Sequence, residues 1–216
     1  MLIPLLIAAV VGYLLGSLPF GYLVARAKGV NIFEVGSKNP GATNVRRALG
    51  HGAGNVVLVL DIVKGALAVG LFPLLHLVGP QYCPVDADGL LILKMTGLVA
   101  AILGHSFSCF TKFRGGKSVA TGAGGFAVLF PLGMAIALGV FLLTLAISRY
   151  VSLSSMLGAA SLPFAAFAFK AGSPMISISA MIAAFVIYRH RANLMRIRAG
   201  TESKVGQKKA APPSSS

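Results

Sequence analysis

A short polar segment between two long apolar runs carries residue types that bind anions. Residues 36–47 read Gly-Ser-Lys-Asn-Pro-Gly-Ala-Thr-Asn-Val-Arg-Arg. Gly41 lets the backbone approach a ligand closely, and the guanidinium groups of Arg46 and Arg47 fit phosphate oxygens. Short hydrogen-bonding side chains follow one another at Ser37, Asn39, Thr43 and Asn44. The segment therefore predicts a site for a phosphate ester, although an ordinary cytosolic loop of a membrane protein is also basic.

A second loop contains adjacent glycines followed by a lysine. Residues 104–107 read Gly-His-Ser-Phe, and residues 112–122 read Lys-Phe-Arg-Gly-Gly-Lys-Ser-Val-Ala-Thr-Gly. The loop is not a Walker P-loop, because Thr111 stands where that pattern needs glycine and no strand precedes it. We expect Gly115 and Gly116 to expose backbone N–H groups at the start of a helix, with Lys117 adding a positive charge. This pattern indicates a second phosphate site, and a glycine hinge beside a cytosolic lysine is the alternative.

A third cluster closes the last apolar run. Residues 188–193 read Tyr-Arg-His-Arg-Ala-Asn, and residues 200–202 read Gly-Thr-Glu. If the helix continues, His190 and Asn193 share one face and could reach one ligand. His190 is then a candidate proton carrier or oxyanion donor, or else a solvated histidine at the membrane surface.

Two further sets of polar side chains could join the site. Hydroxyl groups that would either donate to a ligand or cap a helix follow Arg149, at Ser152, Ser154 and Ser155. Asp61 and Lys64 lie three residues apart inside an apolar run, where pairing with each other is favoured over ligand contact. His105, in the second loop, is a further candidate.

The composition is that of a polytopic membrane protein. The chain has 216 residues, of which 56% are hydrophobic and 11% charged, and several apolar runs approach the roughly 20 residues that cross a bilayer. Lys and Arg number 19 against 5 Asp and Glu, but they lie between apolar segments rather than in one soluble domain, so nucleic acid is not the expected partner. Cys83 and Cys109 form no metal-binding pattern, and we expect no metal and no disulfide.

Charge places the basic segments on one side of the membrane. Residues 26–47, 112–117, 149 and 189–198 are basic, whereas residues 78–88 contain two Asp and no Lys or Arg. The basic set is expected in the cytoplasm, so the N-terminus lies outside. The expected spans are residues 3–25, 53–77, 89–107, 154–169 and 175–189, with residues 170–174 forming an external turn.

The apolar run from 118 to 148 decides between two topologies. It is too long for one span and short for two, and Pro131 and Gly133 interrupt it. Two short helices meeting near Phe130 and Pro131 give seven crossings, and five crossings are the alternative. We expect one membrane domain over residues 1–200, with a C-terminal tail from 201 to 216 that has the composition of a disordered segment.

Together the three motifs resemble the bacterial acyl-phosphate:glycerol-3-phosphate acyltransferases, the PlsY family. The resemblance covers the chain to about residue 204. It implies seven transmembrane helices, an external N-terminus and a cytoplasm-facing active site in the bacterial plasma (inner) membrane. Ser118 departs from the family, which commonly has glycine after Gly-Gly-Lys.

The resemblance also implies a reaction, the transfer of an acyl group from acyl phosphate to the 1-hydroxyl of sn-glycerol 3-phosphate, which gives lysophosphatidate and phosphate. It implies contact with membrane lipid and no cofactor. By this resemblance Ser37, Arg47 and Lys117 hold phosphate, and His190 and Asn193 orient the reacting groups, with Ser37 also counted among the catalytic residues. The residues that shape the first phosphate site are Asn39, Gly41, Thr43 and Asn44. None of the four histidines has Asp five positions on, so the His–Asp pair of commoner acyltransferases is absent from the sequence. The resemblance therefore favours direct transfer without an acyl-enzyme intermediate.

The alternative from another class is a membrane carrier or channel for phosphorylated metabolites, which would also have basic loops and intramembrane charges. The spans do not divide into two matching halves, which weighs against a transporter built from inverted repeats. A structural membrane subunit, with neither activity nor transport, is the third reading.

Overall fold

The computed structural model describes residues 2–79, 83 and 85–207, and over these residues its regular structure is helical. The α-helices, in chain order, are α1 (Leu2–Ser17), α2 (Phe20–Ala27), α3 (Ala42–Leu49), α4 (His51–Val78), α5 (Ala87–Ser106), α6 (Val119–Leu129), α7 (Pro131–Ser148), α8 (Val151–Ala168), α9 (Ser173–Arg189) and α10 (Arg191–Arg198). A 3₁₀ turn, Cys109–Thr111, lies between α5 and α6.

Five helical segments of the described chain are long and apolar enough to cross a bilayer: Leu2–Ala27, His51–His76, Ala87–Thr111, Pro131–Ser148 and Val151–Ala168. Shorter apolar helices are α6 and α9. The 11 residues of α6 extend about 16 Å at 1.5 Å per residue, roughly half of a bilayer core.

Two prolines divide the predicted spans. The first predicted span is broken between α1 and α2 at Leu18 and Pro19, because Pro19 has no N–H for a continuous helix. The predicted break near Phe130 and Pro131 is observed, since α6 ends at Leu129 and α7 begins at Pro131. Proline is favoured at the first position of a helix, where its missing N–H has no partner to lose.

Glycines let α4 and α6 touch backbone to backbone. A Cβ on Gly65 would lie 1.9 Å from the carbonyl oxygen of Thr121, and one on Gly124 would lie 1.9 Å from that of Ile62. Small residues at such crossings allow close helix packing in membranes, where burial of apolar groups gives little driving force between helices. The crossing fixes the start of α6, and so the second motif, beside the middle of α4.

The apolar side chains sort into a core and a lipid-facing surface. Buried residues from α4 to α9 form the largest core cluster, which includes Leu98, Phe126 and Ile182. The outer faces of α7 and α8 remain apolar and open, with Ile147 78% and Phe167 75% exposed. Such a surface fits hydrocarbon rather than water.

Short helices and a folded-back segment lie near the ends of these spans. Helices α3 and α10 were not expected. Helix α3 carries residues of the first motif, and α10 carries residues of the third motif. Residues 201–207, the described part of the predicted C-terminal tail, contact the membrane domain: Glu202 is only 6% exposed and the Val205 N–H donates to the Arg149 carbonyl (2.9 Å). Residues 208–216 lie outside the described part of the chain.

Candidate active site

A cavity of about 350 Å³ brings the three motifs together. Its polar end is lined by Ser37, Asn39, Gly41, Thr43, Asn44, Arg47, Lys117, His190, Asn193 and Glu202. From there an apolar limb runs between α4 and α6–α9, lined by residues such as Ile62, Phe126, Phe141, Leu162 and Ile182. The cavity can therefore take a ligand that is anionic at one end and hydrocarbon at the other.

Asn44 holds the first motif in shape. Its buried side-chain amide donates to the Val35 carbonyl (3.0 Å), and its Oδ1 accepts from the Ser37 N–H (2.9 Å). Gly36 has a φ of +56°, and a Cβ there would lie 2.4 Å from Asn44 Oδ1, so glycine fits this turn. These hydrogen bonds occupy the Asn44 side chain, which shapes the cavity wall rather than offering free donors.

The start of α3 faces the cavity. Gly41 precedes the helix in an extended conformation, and its N–H donates to Asn39 Oδ1 (3.0 Å). Ala42 and Thr43, in the first turn, line the cavity together with Ser37, whose side chain is exposed. The positive end of the helix dipole and two hydroxyl groups thus lie at the place where an anion would bind.

The neighbouring arginines of the first motif point to different surroundings. Arg47 lines the cavity and its Nη2 donates to the Ser203 carbonyl (3.2 Å). Arg46 donates to Asn55 Oδ1 (2.9 Å) and is not among the cavity residues. The sequence predicts phosphate binding for both arginines. In the structure their positions on α3 direct only Arg47 to the cavity.

The glycines of the second motif face away from the cavity, contrary to expectation. The Gly116 N–H donates to the His105 carbonyl (3.0 Å), so it is not free to bind phosphate. The carbonyls of Gly115 and Gly116 accept from Arg189 Nη2 at 3.2 and 2.7 Å. The two glycines are needed for close approach, because a Cβ on Gly116 would lie 2.0 Å from His105 Nε2.

Lys117 is the charged group that this loop brings to the cavity. Its Nζ donates to Asn193 Oδ1. Burial lowers the pKa of Lys117 to about 8, Glu202 opposes that shift, and the charges of nearby arginines, Arg196 and Arg47 among them, add to it.

Ser118 precedes α6 with a φ of 60°, in the region that favours glycine. Its buried hydroxyl donates to the Ile102 carbonyl (2.8 Å) and lies 2.7 Å from Ser106 Oγ. These contacts hold the Ser118 side chain in place, and the preceding residue, Lys117, lines the cavity.

His190 and Asn193 both line the cavity, although the helix does not continue through them. His190 lies between the last residue of α9 and the first residue of α10, and its carbonyl accepts from the Asn193 N–H (2.8 Å). Burial and the charge of Lys117 lower the pKa of His190 to about 4, so the ring is neutral at pH 7. His190 Nδ1 lies 2.8 Å from the Val186 carbonyl, which can only accept. The proton therefore sits on Nδ1, and Nε2 is a hydrogen-bond acceptor.

Glu202 is a cavity residue that the sequence did not assign to the site. Its carboxylate accepts from Asn193 Nδ2 (2.7 Å), Ser152 Oγ (2.8 Å) and Arg196 Nε (2.7 Å). Burial raises the pKa of Glu202, but hydrogen bonds from Asn193, Arg196 and Ser152 outweigh that effect and leave it below its usual value. Because Glu202 takes the amide hydrogens, Asn193 turns its Oδ1 towards Lys117. The acidic residue in an otherwise basic C-terminal segment was the available sequence signal.

The three serines after Arg149 have different roles. Ser152 and Ser155 line the cavity, and Ser155 Oγ donates to the Val151 carbonyl (2.8 Å). Ser154 is buried, donates to the Tyr150 carbonyl (2.8 Å) and is not a cavity residue, so its place as a candidate is not supported. None of them caps α8, whose N-cap is Tyr150.

Asp61 and Lys64 pair as expected, with 2.7 Å between Asp61 Oδ1 and Lys64 Nζ, and both are buried. Lys64 also donates to the Leu18 carbonyl (2.8 Å). His105 lies beside them, 3.6 Å from Asp61 and 3.1 Å from Thr121 Oγ1. Asp61 and His105 reach the cavity wall, while Lys64 does not. Within the described chain, no group of three or more His, Cys, Asp or Glu is arranged to hold a metal ion.

Comparison with known proteins gives one consistent family. The family model described as glycerol-3-phosphate acyltransferase matches residues 6–200. The glycerol-3-phosphate acyltransferase of Acaryochloris marina is 46% identical over 209 residues, covering 93% of this chain and 92% of that protein. The protein of the same name from Thermosynechococcus vestitus is 44% identical, covering 92% of this chain and 93% of its own.

Solved structures agree with the sequence comparisons. The crystal structure of PlsY, an integral membrane glycerol 3-phosphate acyltransferase, in its glycerol 3-phosphate form is 35% identical, with a TM-score of 0.82 over 94% of this chain and 96% of that one. The lysophosphatidic acid form of PlsY has a TM-score of 0.78, and the match covers 94% and 95% of the two chains.

Proposed function

The chain belongs to the glycerol-3-phosphate acyltransferase family, and from this membership we propose that it transfers a fatty acyl group from acyl phosphate to the 1-hydroxyl of sn-glycerol 3-phosphate. The products are lysophosphatidate, a precursor of membrane phospholipids, and inorganic phosphate. The observation that carries the proposal is the cavity with a basic polar end and an apolar limb.

The two ends of the cavity match the two substrates. Each substrate brings a phosphate group, and the polar end offers two separate cations, Arg47 from α3 and Lys117 from the second motif. The acyl chain of the donor fits the apolar limb. Ser37 and Thr43, beside the start of α3, add hydroxyl donors to the first phosphate site, while Asn39, Gly41 and Asn44 fix its backbone.

The chemistry needs orientation more than an enzyme nucleophile. The 1-hydroxyl oxygen attacks the acyl carbon, the bond from that carbon to the phosphate oxygen breaks, and the departing phosphate accepts the hydroxyl proton. Neutral His190 presents an acceptor nitrogen that can orient glycerol 3-phosphate by accepting from its 2-hydroxyl, so that the hydrogen of the 1-hydroxyl remains available to the departing phosphate. Lys117 stabilises the negative charge of the leaving phosphate. Acyl phosphate is already activated, so positioning can supply much of the rate enhancement.

Asp61, Lys64 and His105 are proposed to support the wall of the cavity rather than to react. The opposite charges of Asp61 and Lys64 pair with each other, which avoids the cost of an isolated charge at that depth, and His105 lies 3.6 Å from Asp61. The His105 carbonyl also fixes Gly116, one residue before Lys117.

Activity is tested by following both products. Purified protein in detergent should release phosphate and form lysophosphatidate only when acyl phosphate and glycerol 3-phosphate are both present. Phosphate release that does not depend on glycerol 3-phosphate would instead indicate hydrolysis, and no release at all would contradict the acyltransferase.

We also propose the membrane arrangement: a single domain in the bacterial plasma (inner) membrane, seven crossings with α6 and α7 as short and long partners, an external N-terminus and a cytoplasm-facing site. The basic residues at the polar end of the cavity support it, because such residues favour the cytoplasm. Single cysteines at positions 38 and 114, both of them exposed, in a background without Cys83 and Cys109, should resist impermeant reagents added outside intact cells. Labelling of either from outside would overturn this orientation.

A further inference from the structure

Arg189, the last residue of α9, joins the third motif to the second. Its Nη2 donates to the carbonyl oxygens of Gly116 (2.7 Å) and Gly115 (3.2 Å). Its guanidinium carbon lies 5.2 Å from the centre of the Phe107 ring, so the side chain is held from a second side. Arg189 does not line the cavity, so any effect on the reaction passes through other residues.

The segment that Arg189 binds is clamped on both faces. On the opposite side of the Gly115–Gly116 segment, the Gly116 N–H donates to the His105 carbonyl (3.0 Å). The next residue is Lys117, whose ammonium reaches Asn193 in the cavity. A shift of the glycine carbonyls would therefore move the start of the Lys117 side chain directly.

Arginine suits this position for a chemical reason. The carbonyls of two successive residues lie close enough to share one guanidinium nitrogen, which carries two hydrogens. Without that donor both carbonyls would lose a charge-assisted hydrogen bond, and glycine provides no side chain to restrain the backbone.

We propose that Arg189 is a positioning residue that holds Lys117 at the phosphate of the bound substrate. The assignment rests on the acyltransferase function proposed above. It predicts that the contribution of Arg189 to catalysis depends on the presence of Lys117.

A double-mutant cycle tests that dependence, with Arg191→Ala as the matched control. Arg191 lies two residues away, and its contacts are with Tyr188, whose carbonyl accepts from Nη1 (3.3 Å) and whose ring centre is 4.5 Å from the guanidinium carbon. It is exposed and is not a cavity residue. Arg191→Ala therefore removes a guanidinium from the same cluster without releasing the glycine segment.

The measured quantity is kcat/KM for glycerol 3-phosphate. Arg189→Ala should lower it about ten- to a hundredfold, the range for losing a hydrogen bond to a charged group, while Arg191→Ala stays within about twofold of the unmodified chain. In a Lys117→Ala background the Arg189→Ala change should cost less than about threefold, because its target is gone. In an Arg47→Ala background it should keep most of its effect.

The outcomes separate a positioning role from a general effect on folding. An Arg189→Ala loss that is undiminished in the Lys117→Ala background, or no loss at all, would overturn the inference. If Arg189→Ala does not yield folded protein, Arg189→Lys replaces it, with an expected loss of about three- to tenfold because an ammonium lacks the planar donor geometry. In the Lys117→Ala background, Arg189→Lys should cause no further loss of kcat/KM. A loss that persists in that background would overturn the inference. If the unmodified chain forms no lysophosphatidate, the proposed acyltransferase function is refuted. That outcome is distinct from an Arg189→Ala loss that does not depend on Lys117, which refutes only the positioning role.

Discussion

The charge of Lys117 should set the alkaline limit of activity. Burial lowers its pKa to about 8, so the ammonium is about nine-tenths protonated at pH 7 and about one-tenth protonated at pH 9. If the charged form binds phosphate, kcat/KM should fall to half near pH 8 and to about a tenth of its plateau at pH 9. The sign follows from the group: a lysine is active below its pKa and loses its charge above it.

Neither His190 nor glycerol 3-phosphate changes its charge over this alkaline decline. The pKa of His190 is about 4, so the imidazole stays neutral from pH 6 to 9. The second pKa of a phosphate monoester is about 6, so glycerol 3-phosphate is a dianion over the decline. Bound phosphate favours the ammonium, and the decline of kcat should therefore occur at higher pH than that of kcat/KM.

Lys117→Arg provides the decisive comparison. A guanidinium remains charged throughout, so the variant should have a lower plateau but no alkaline decline between pH 7 and 9.5. Initial rates of lysophosphatidate formation would be measured at subsaturating substrate and constant ionic strength, after subtraction of acyl phosphate hydrolysis without enzyme. A flat profile for the unmodified chain, or the same decline in Lys117→Arg, would refute the assignment.

Three further changes test the rest of the site. Arg47→Ala should lower kcat/KM about ten- to a hundredfold, and Arg47→Lys should also be impaired, because an ammonium cannot reproduce the bidentate fork. His190→Ala and Asn193→Ala should mainly lower kcat with the fold intact, and denatured protein incubated with radiolabelled acyl phosphate should keep no covalent label. A chain ending at Gln207 should retain activity within about twofold, whereas one that ends before Glu202 should lose about tenfold or more, because Asn193 loses its partner.

Each of these changes has a control and a contradicting result. Arg46→Ala, which removes a guanidinium that pairs with Asn55, should leave kcat/KM nearly unchanged, and an equal loss at Arg46 and Arg47 would deny a specific site. A stoichiometric acyl-protein adduct discharged by glycerol 3-phosphate would establish an acyl-enzyme route. Full activity in the chain that lacks Glu202 would show that its contacts are dispensable.

Local features of the sequence were enough to find the long helices and the three motifs. Hydropathy and length identify a span because bilayer thickness sets both, and the break before Pro131 follows from the missing N–H of proline. The short helix α3 was not predicted because it has only eight residues, about two turns, and its polar side chains were assigned to a ligand-binding loop.

The direction of individual groups was decided by the tertiary structure alone. The sequence determined that glycines, Lys117, Arg47, His190 and Asn193 were available to bind phosphate and orient a reaction. Only packing turned the Gly116 N–H towards the His105 carbonyl. Packing also brought Arg189 to Gly116, 73 positions away, and Glu202 to Asn193, 9 positions away, and neither Arg189 nor Glu202 was assigned to the site from the sequence. A hydrogen bond is satisfied by whichever partner the folded chain brings within about 3 Å, and that partner is set by helix crossings such as Gly65 on Thr121 rather than by neighbours in sequence.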